Sequence, residues 1–173
     1  KIGNYDLGVA YDGDADRVVA IDEKGNIVRP DILMSIFIPF VISEGESVIF
    51  DVKCSRSLES TIKKYGGTPI MYKTGHSLIK NKMIDLKSKF GGEMSGHIFF
   101  KDRYYGYDDG IYVSLRLIEI LSKTTKKISD YVSEIPKYIS TPEIRIDCNN
   151  DDIKFEVANN VKKYFSNKFN CNL

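Results

Sequence analysis

Apolar and polar positions repeat along this chain with two periods, about 2 and about 3.6 residues, and the switches between them lay out the elements. Asp6–Tyr11 and Arg17–Asp22 carry the short period and read as strands. A turn over Asp12–Asp16 joins them, and Lys24-Gly25-Asn26 closes the second. Pro30 before and Gly45 after bracket a helix over Asp31–Ser43. Ser47–Val52 is a short apolar run, as a buried parallel strand requires. Ser55–Tyr65 reads as a helix stopped by Gly66-Gly67, and Thr68–Tyr72 as the next strand. Leu78, Ile79, Met83 and Leu86 have helical spacing within Ser77–Leu86, and Ile98–Phe100 reads as a strand. Asp109–Leu121 reads as an amphipathic helix with Ile111, Leu115, Ile118 and Leu121 near one face. A helix over Ile128–Ser133 runs to Pro136; beyond it, Tyr138–Ile146 reads as a strand and Asp151–Phe165 as a helix.

Such alternation of strand and helix is the signature of a layered α/β domain. Breaks near Asn26 and Pro136 divide the chain into residues 1–26, 27–136 and 137–173. A composition of 42% hydrophobic and 28% charged residues fits a globular protein, and the net charge of +1 gives no bulk field for nucleic acid. The most apolar stretch, Ile32–Ile42, is too short to span a bilayer and contains Pro39, so no membrane partner is expected. Cys54, Cys148 and Cys171 are an odd set without metal-ligand spacing, which points to a reducing, cytoplasmic setting.

Candidate chemistry begins at Asp12-Gly-Asp14-Ala-Asp16-Arg17. Three carboxylates at alternate positions of a tight turn can converge on one hard cation. Mg²⁺ suits a few carboxylates completed by water and a substrate phosphate. A calcium EF-hand is a rival, since Asp12, Asp14, Asp16 and Glu23 match its first, third, fifth and twelfth loop positions. Its sixth position, however, would be Arg17 in place of Gly, and the flanks read as strands. A solvated Asp-rich turn is the bland alternative.

Gly91-Gly92-Glu93-Met94-Ser95-Gly96-His97 is the second signal. Glu93, Ser95 and His97 alternate, so an extended strand would place carboxylate, hydroxyl and imidazole on one side, where they can bracket vicinal sugar hydroxyls. Taken alone, the same string also suits a Gly-rich turn with a surface histidine. Lys53, in Asp51-Val-Lys53-Cys54-Ser-Arg56, follows a strand end, where ligand sites of α/β sheets lie. His76, in Lys73-Thr-Gly75-His76-Ser77-Leu-Ile-Lys80, sits at another strand-to-helix junction. By themselves, a solvated lysine and a helix-capping or core histidine explain these two equally well.

Together these strings resemble the α-D-phosphohexomutase family. The wording Glu93-Met94-Ser95-Gly96-His97 is nearest its phosphomannomutase/phosphoglucomutase branch; the phosphoglucosamine mutase branch usually has Gln where Met94 stands. The resemblance implies that Asp12, Asp14 and Asp16 hold one Mg²⁺ and that Arg17 lies beside the transferred phosphate. It gives substrate contacts to Lys53, His76, Glu93 and Ser95, and makes His97 a candidate for proton transfer. The catalytic candidates are thus Arg17, His97 and Lys53. Phe99-Phe-Lys101-Asp-Arg103 and Tyr107-Asp108-Asp109-Gly110 match too, in structural roles.

The implied fold is an α/β/α domain with a mixed sheet, the family's third domain, over residues 27–136. Residues 1–26 would end a second domain, carrying the metal loop, and 137–173 would begin a phosphate-binding fourth. The implied reaction interconverts hexose 1-phosphate and hexose 6-phosphate through a phosphoserine and a hexose 1,6-bisphosphate. The family's Thr-Ala-Ser-His-Asn-Pro-like serine loop and its Arg-x-Ser-x-Thr-Glu-Pro phosphate loop do not occur in these residues. The chain alone is therefore expected to be inactive, with further domains of the same polypeptide as its partners. A non-catalytic phosphosugar-binding module is the competing class of function.

Overall fold

The computed structural model of the chain describes residues 4–139, 144, 147 and 153–169. The chain divides into two compact units, Lys1–Ile139 and Ser140–Leu173.

The first unit opens with an antiparallel sheet ordered β1 (Gly8–Tyr11), β2 (Val18–Ile21), β3 (Ile27–Val28). Asp22 makes the β2–β3 turn: its Oδ1 accepts the N–H groups of Lys24 at 3.0 Å and Asn26 at 2.7 Å, while Gly25 takes φ 86°. At two residues, β3 is too short to show a period, and for that reason it escapes a pattern reading.

There follow α1 (Pro30–Val41), β4 (Ser47–Asp51), α2 (Arg56–Lys64), β5 (Thr68–Tyr72), α3 (His76–Asp85), β6 (Phe90–Gly92), β7 (Ile98–Phe100), α4 (Gly110–Ser122) and α5 (Ile128–Glu134). The second sheet has the order β5-β4-β6-β7; β4 runs parallel to β5 and β6, and β7 is antiparallel to β6. This is the mixed sheet expected. Its pleat separates two apolar layers. Val48, Phe50, Phe90, Ile98 and Phe100 join Phe37 of α1, Leu58 of α2 and Leu117 of α4 on one side. Ile49 and Phe99 meet Ile79 and Met83 of α3 on the other, which completes α/β/α layering. Phe37 is fully buried, with its ring edge-on to Phe100 at 5.0 Å and 88°.

The face expected for α4 is not the one it buries. Ile111, Leu115 and Ile118 are 52%, 57% and 48% exposed, while Val113, Arg116, Leu117 and Ile120 are buried. The helix carries apolar residues all round, and a buried arginine decides its rotation. Arg116 Nη1 and Nη2 each donate to Asp102 at 2.8 Å, and the guanidinium lies 4.4 Å from the centre of the Phe100 ring.

Burial alone would raise the Asp102 carboxyl, but the hydrogen bonds and charge of Arg116 hold it below its ordinary value. A carboxyl lowered in the folded state contributes stability that is present above the unfolded value of 3.8 and lost as pH falls through the folded one. The melting temperature is therefore expected to fall more steeply between about pH 5 and about pH 2 in the native chain than in Asp102→Asn, the two curves converging in acid. Parallel curves in thermal melts would refute this pairing.

Of the strand expected over Tyr138–Ile146, Tyr138, Ile139 and Ile144 belong to no element, and the other positions lie outside the described residues. In the second unit, α6 spans Lys154–Phe169, and none of its residues is buried. Its expected first residue, Asp151, also lies outside the described residues. Among the described residues no helix is long and apolar enough to cross a membrane.

Candidate functional site

The tip of the β1–β2 hairpin presents the aspartates. Ala15 takes φ 60°, its N–H donates to the Asp12 carbonyl at 3.3 Å, and the Arg17 N–H donates to Asp12 Oδ1 at 3.2 Å. This turn brings one carboxylate oxygen each from Asp12, Asp14 and Asp16 within 4.8 Å of one another. Asp16 Oδ1 is buried without a hydrogen-bond partner, and Arg17 Nε stays 3.8 Å from it. Converging oxygens with one buried acceptor unused fit a hard divalent cation. The flanking elements are β-strands, so an EF-hand is excluded.

Glu93–His97 does not form the extended strand expected. It is the turn between β6 and β7, closed by Glu93 N–H to the His97 carbonyl at 2.9 Å and Gly96 N–H to the Glu93 carbonyl at 3.1 Å. Gly96 takes φ 104°, and its carbonyl accepts the Val18 N–H at 3.2 Å, which pins the turn to the exit of the aspartate loop. Side chains still converge, because the turn folds them onto one imidazole. His97 is buried, with Nδ1 3.0 Å from Ser95 Oγ and 3.2 Å from Glu93 Oε2. Its Nε2 lies 3.2 Å from Arg17 Nε and 3.2 Å from Asp16 Oδ2. The metal loop and the sugar loop therefore meet at His97.

His76, first residue of α3, stacks its ring on His97 at 5.3 Å. Its Nδ1 is 2.8 Å from Asp108 Oδ2, and Lys80 Nζ donates to Asp108 Oδ1 at 2.9 Å. Hydrogen bonds from Lys80 and His76 outweigh the opposing effect of burial and hold the Asp108 carboxyl below its usual range. Lys53 is exposed in the loop after β4 and makes no hydrogen bond or ion pair among the described residues. Ser95 is exposed, whereas Glu93 is 2% exposed with both oxygens engaged, Oε1 accepting the Gly75 N–H at 2.6 Å. Sequence reasoning gave no function to Asp51 or Thr74. A carboxylate closing an otherwise apolar strand was the available signal for Asp51, since a charge buried there must find partners.

Residues 29–138 match the family described as phosphoglucomutase/phosphomannomutase, alpha/beta/alpha domain III. The chain belongs to this family. It is 48% identical over 165 residues to a phosphomannomutase/phosphoglucomutase of Pseudomonas aeruginosa, covering 94% of this chain and 35% of that protein. A phosphoglucomutase of Neisseria meningitidis is 47% identical over 148 residues, covering 84% of this chain and 32% of the relative. Among solved structures, a phosphoglucomutase/phosphomannomutase family protein of Burkholderia thailandensis aligns with a TM-score of 0.77 at 43% identity, over 82% of this chain and 31% of that one. The chain thus spans about a third of the length of these phosphohexomutase relatives. The family's α/β/α third domain is the second sheet with its helices.

Proposed function

We propose that this chain forms the metal-binding and sugar-binding part of a phosphomannomutase/phosphoglucomutase that interconverts hexose 1-phosphate and hexose 6-phosphate by way of a hexose 1,6-bisphosphate. The observation that carries the reading is His97, which touches the aspartate loop through Nε2 and the Ser95 and Glu93 side chains through Nδ1. One imidazole thus spans a cation site and a hydroxyl-reading turn.

Asp12, Asp14 and Asp16 would hold Mg²⁺, which when bound offsets negative charge on a transferring phosphoryl group. Arg17, fixed beside His97 and Asp12, adds a cation on the same side. A sugar hydroxyl that displaced Arg17 Nε from His97 Nε2 would exchange its proton there, while Glu93 and Ser95 hold the ring by Nδ1. Ser95, exposed at the turn, and Lys53 and His76, exposed at two strand ends, supply contacts to hydroxyls and phosphate. A site that accepts a bisphosphate in two orientations needs few such groups. A phosphoserine donor and further phosphate-binding groups would come from other domains of the same polypeptide. A reducing, cytoplasmic setting belongs to the same reading, supported by Cys54, an unpaired thiol that burial and the Asp51 charge push up.

Ser95→Ala tests the sugar contact. Ser95 is exposed, but its Oγ also bonds His97 Nδ1, so a stability loss of about 1 kcal/mol is expected with the fold intact. The dissociation constant for glucose 6-phosphate in calorimetry is expected to rise about two- to tenfold, the worth of one hydrogen bond. Unchanged affinity would remove Ser95 from the site.

A further inference from the structure

Asp51 ends β4 with its side chain 0% exposed. A carboxylate there costs several kcal/mol to desolvate unless donors surround it. The donors come from three separate loops. Oδ1 accepts Cys54 Sγ–H at 3.0 Å and the Met94 N–H at 3.0 Å. Oδ2 accepts the Thr74 hydroxyl at 3.1 Å. Thr74 precedes Gly75, whose N–H donates to Glu93, and Glu93 precedes Met94, whose N–H returns to Asp51. The two buried carboxylates therefore close a ring of hydrogen bonds through Asp51, Thr74-Gly75 and Glu93-Met94. Lys53 leaves this ring two residues after Asp51, His76 one residue after Gly75, and Ser95 and His97 one and three residues after Met94.

We propose that Asp51 is a positioning residue that sets the Lys53, His76 and Glu93–His97 loops in one register for a phosphosugar. It touches no substrate in this assignment; it acts by fixing the backbones that carry the contacting groups. What the carboxylate supplies beyond packing is an acceptor for donors of three separate loops, so its effect falls on the backbones of those loops. The proposal rests on the mutase reading for the identity of the ligand, but not for the coupling among the loops.

Two variants and two measurements test it on the 173-residue chain. Asp51→Asn keeps the volume but removes the charge and one acceptor oxygen, so the Thr74 hydroxyl must reverse to accept from the amide and the remaining bonds lose their charge assistance. Thr74→Val cuts a single arm of the ring and leaves the buried carboxylate hydrogen-bonded to Cys54 and Met94, so it covers the case in which Asp51→Asn fails to fold. In amide NMR spectra, Thr74→Val is expected to shift Met94 and Cys54, which lie on the other arms, and to leave α5 unmoved. In calorimetry with Mg²⁺, the dissociation constant for glucose 1,6-bisphosphate is expected to rise about tenfold or more in Asp51→Asn. Ile120→Val, a core change away from the ring, should keep it within about twofold. Native affinity in Asp51→Asn, an equal loss in Ile120→Val, or unmoved Met94 and Cys54 amides in Thr74→Val would each overturn the assignment. If the native chain binds no bisphosphate while Thr74→Val still shifts the Met94 and Cys54 amides, the coupling stands and the mutase reading falls.

Discussion

Asp14→Asn is expected to weaken Mg²⁺ binding by about tenfold or more, with the fold intact, because affinity at oxygen sites follows the number of charged ligands. Asp12 and Asp14 are exposed at the hairpin tip and Asp16 is half-buried, so the change removes one of three converging charges without opening a cavity. Amide and carboxylate have nearly the same shape, and Asp14 makes no hydrogen bond or ion pair among the described residues that its loss would break. The loop's own fixings, Arg17 N–H to Asp12 and Ala15 N–H to the Asp12 carbonyl, do not involve it. Any fall in affinity is thus a fall in coordination. Melting with and without Mg²⁺ checks this: the native chain gains stability with ion concentration as a ligand bound only to the folded state requires, and Asp14→Asn gains less at each concentration. Turnover by a longer polypeptide that also supplies a phosphoserine would fall with it. Equal gains in the two chains would mean that the aspartates are a solvated turn, and the cation would leave the proposed mechanism.

Much of this site was legible because its chemistry sits in contiguous strings. Asp12–Arg17 and Glu93–His97 each carry their groups within six residues or fewer, and short strings need only local structure to bring side chains together. Gly96 carbonyl to Val18 N–H and His97 to Asp16 are the contacts by which the two strings meet. Besides β3, three features did not show. The strand β6 is Phe90-Gly91-Gly92, whose glycines argue for a turn, yet close approach requires them: a Cβ on Gly91 would stand 2.7 Å from the Ile49 carbonyl oxygen, and one on Gly92 2.8 Å from that of His97. The face of α4 was misread because periodicity weighs apolar residues and discounts arginine, whereas Asp102 makes Arg116 a core residue. Asp51 was passed over because two of its three partners lie 23 and 43 residues away, beyond any local pattern.

Gly110→Ala is the second large effect expected, and here two principles predict opposite signs. Gly110 is the first residue of α4, behind the N-cap Asp109, whose carboxylate accepts the Tyr112 N–H at 2.8 Å. In a helix, Ala is preferred to Gly by up to about 1 kcal/mol, so propensity alone makes the change stabilising. Gly110 also touches the aspartate loop: its N–H donates to the Ala15 carbonyl at 2.9 Å. A Cβ there would stand 2.7 Å from the Arg17 carbonyl oxygen and 2.9 Å from that of Ala15. Both atoms are backbone, so relief requires the loop or the helix start to move, at a cost of about 1–3 kcal/mol. The clash outweighs the propensity, and the net effect is a loss of stability together with displacement of the loop that carries Asp12, Asp14 and Asp16. Gly45→Ala supplies the control. It forces Ala into φ 80° with nothing within 4 Å of its Cβ, so it costs stability by strain alone, far from the aspartates in the chain. Both variants are expected to melt below the native chain, and only Gly110→Ala to lose Mg²⁺ affinity in calorimetry. A higher melting temperature in Gly110→Ala, or a metal affinity matching that of Gly45→Ala, would show that the start of α4 does not hold the aspartate loop in place.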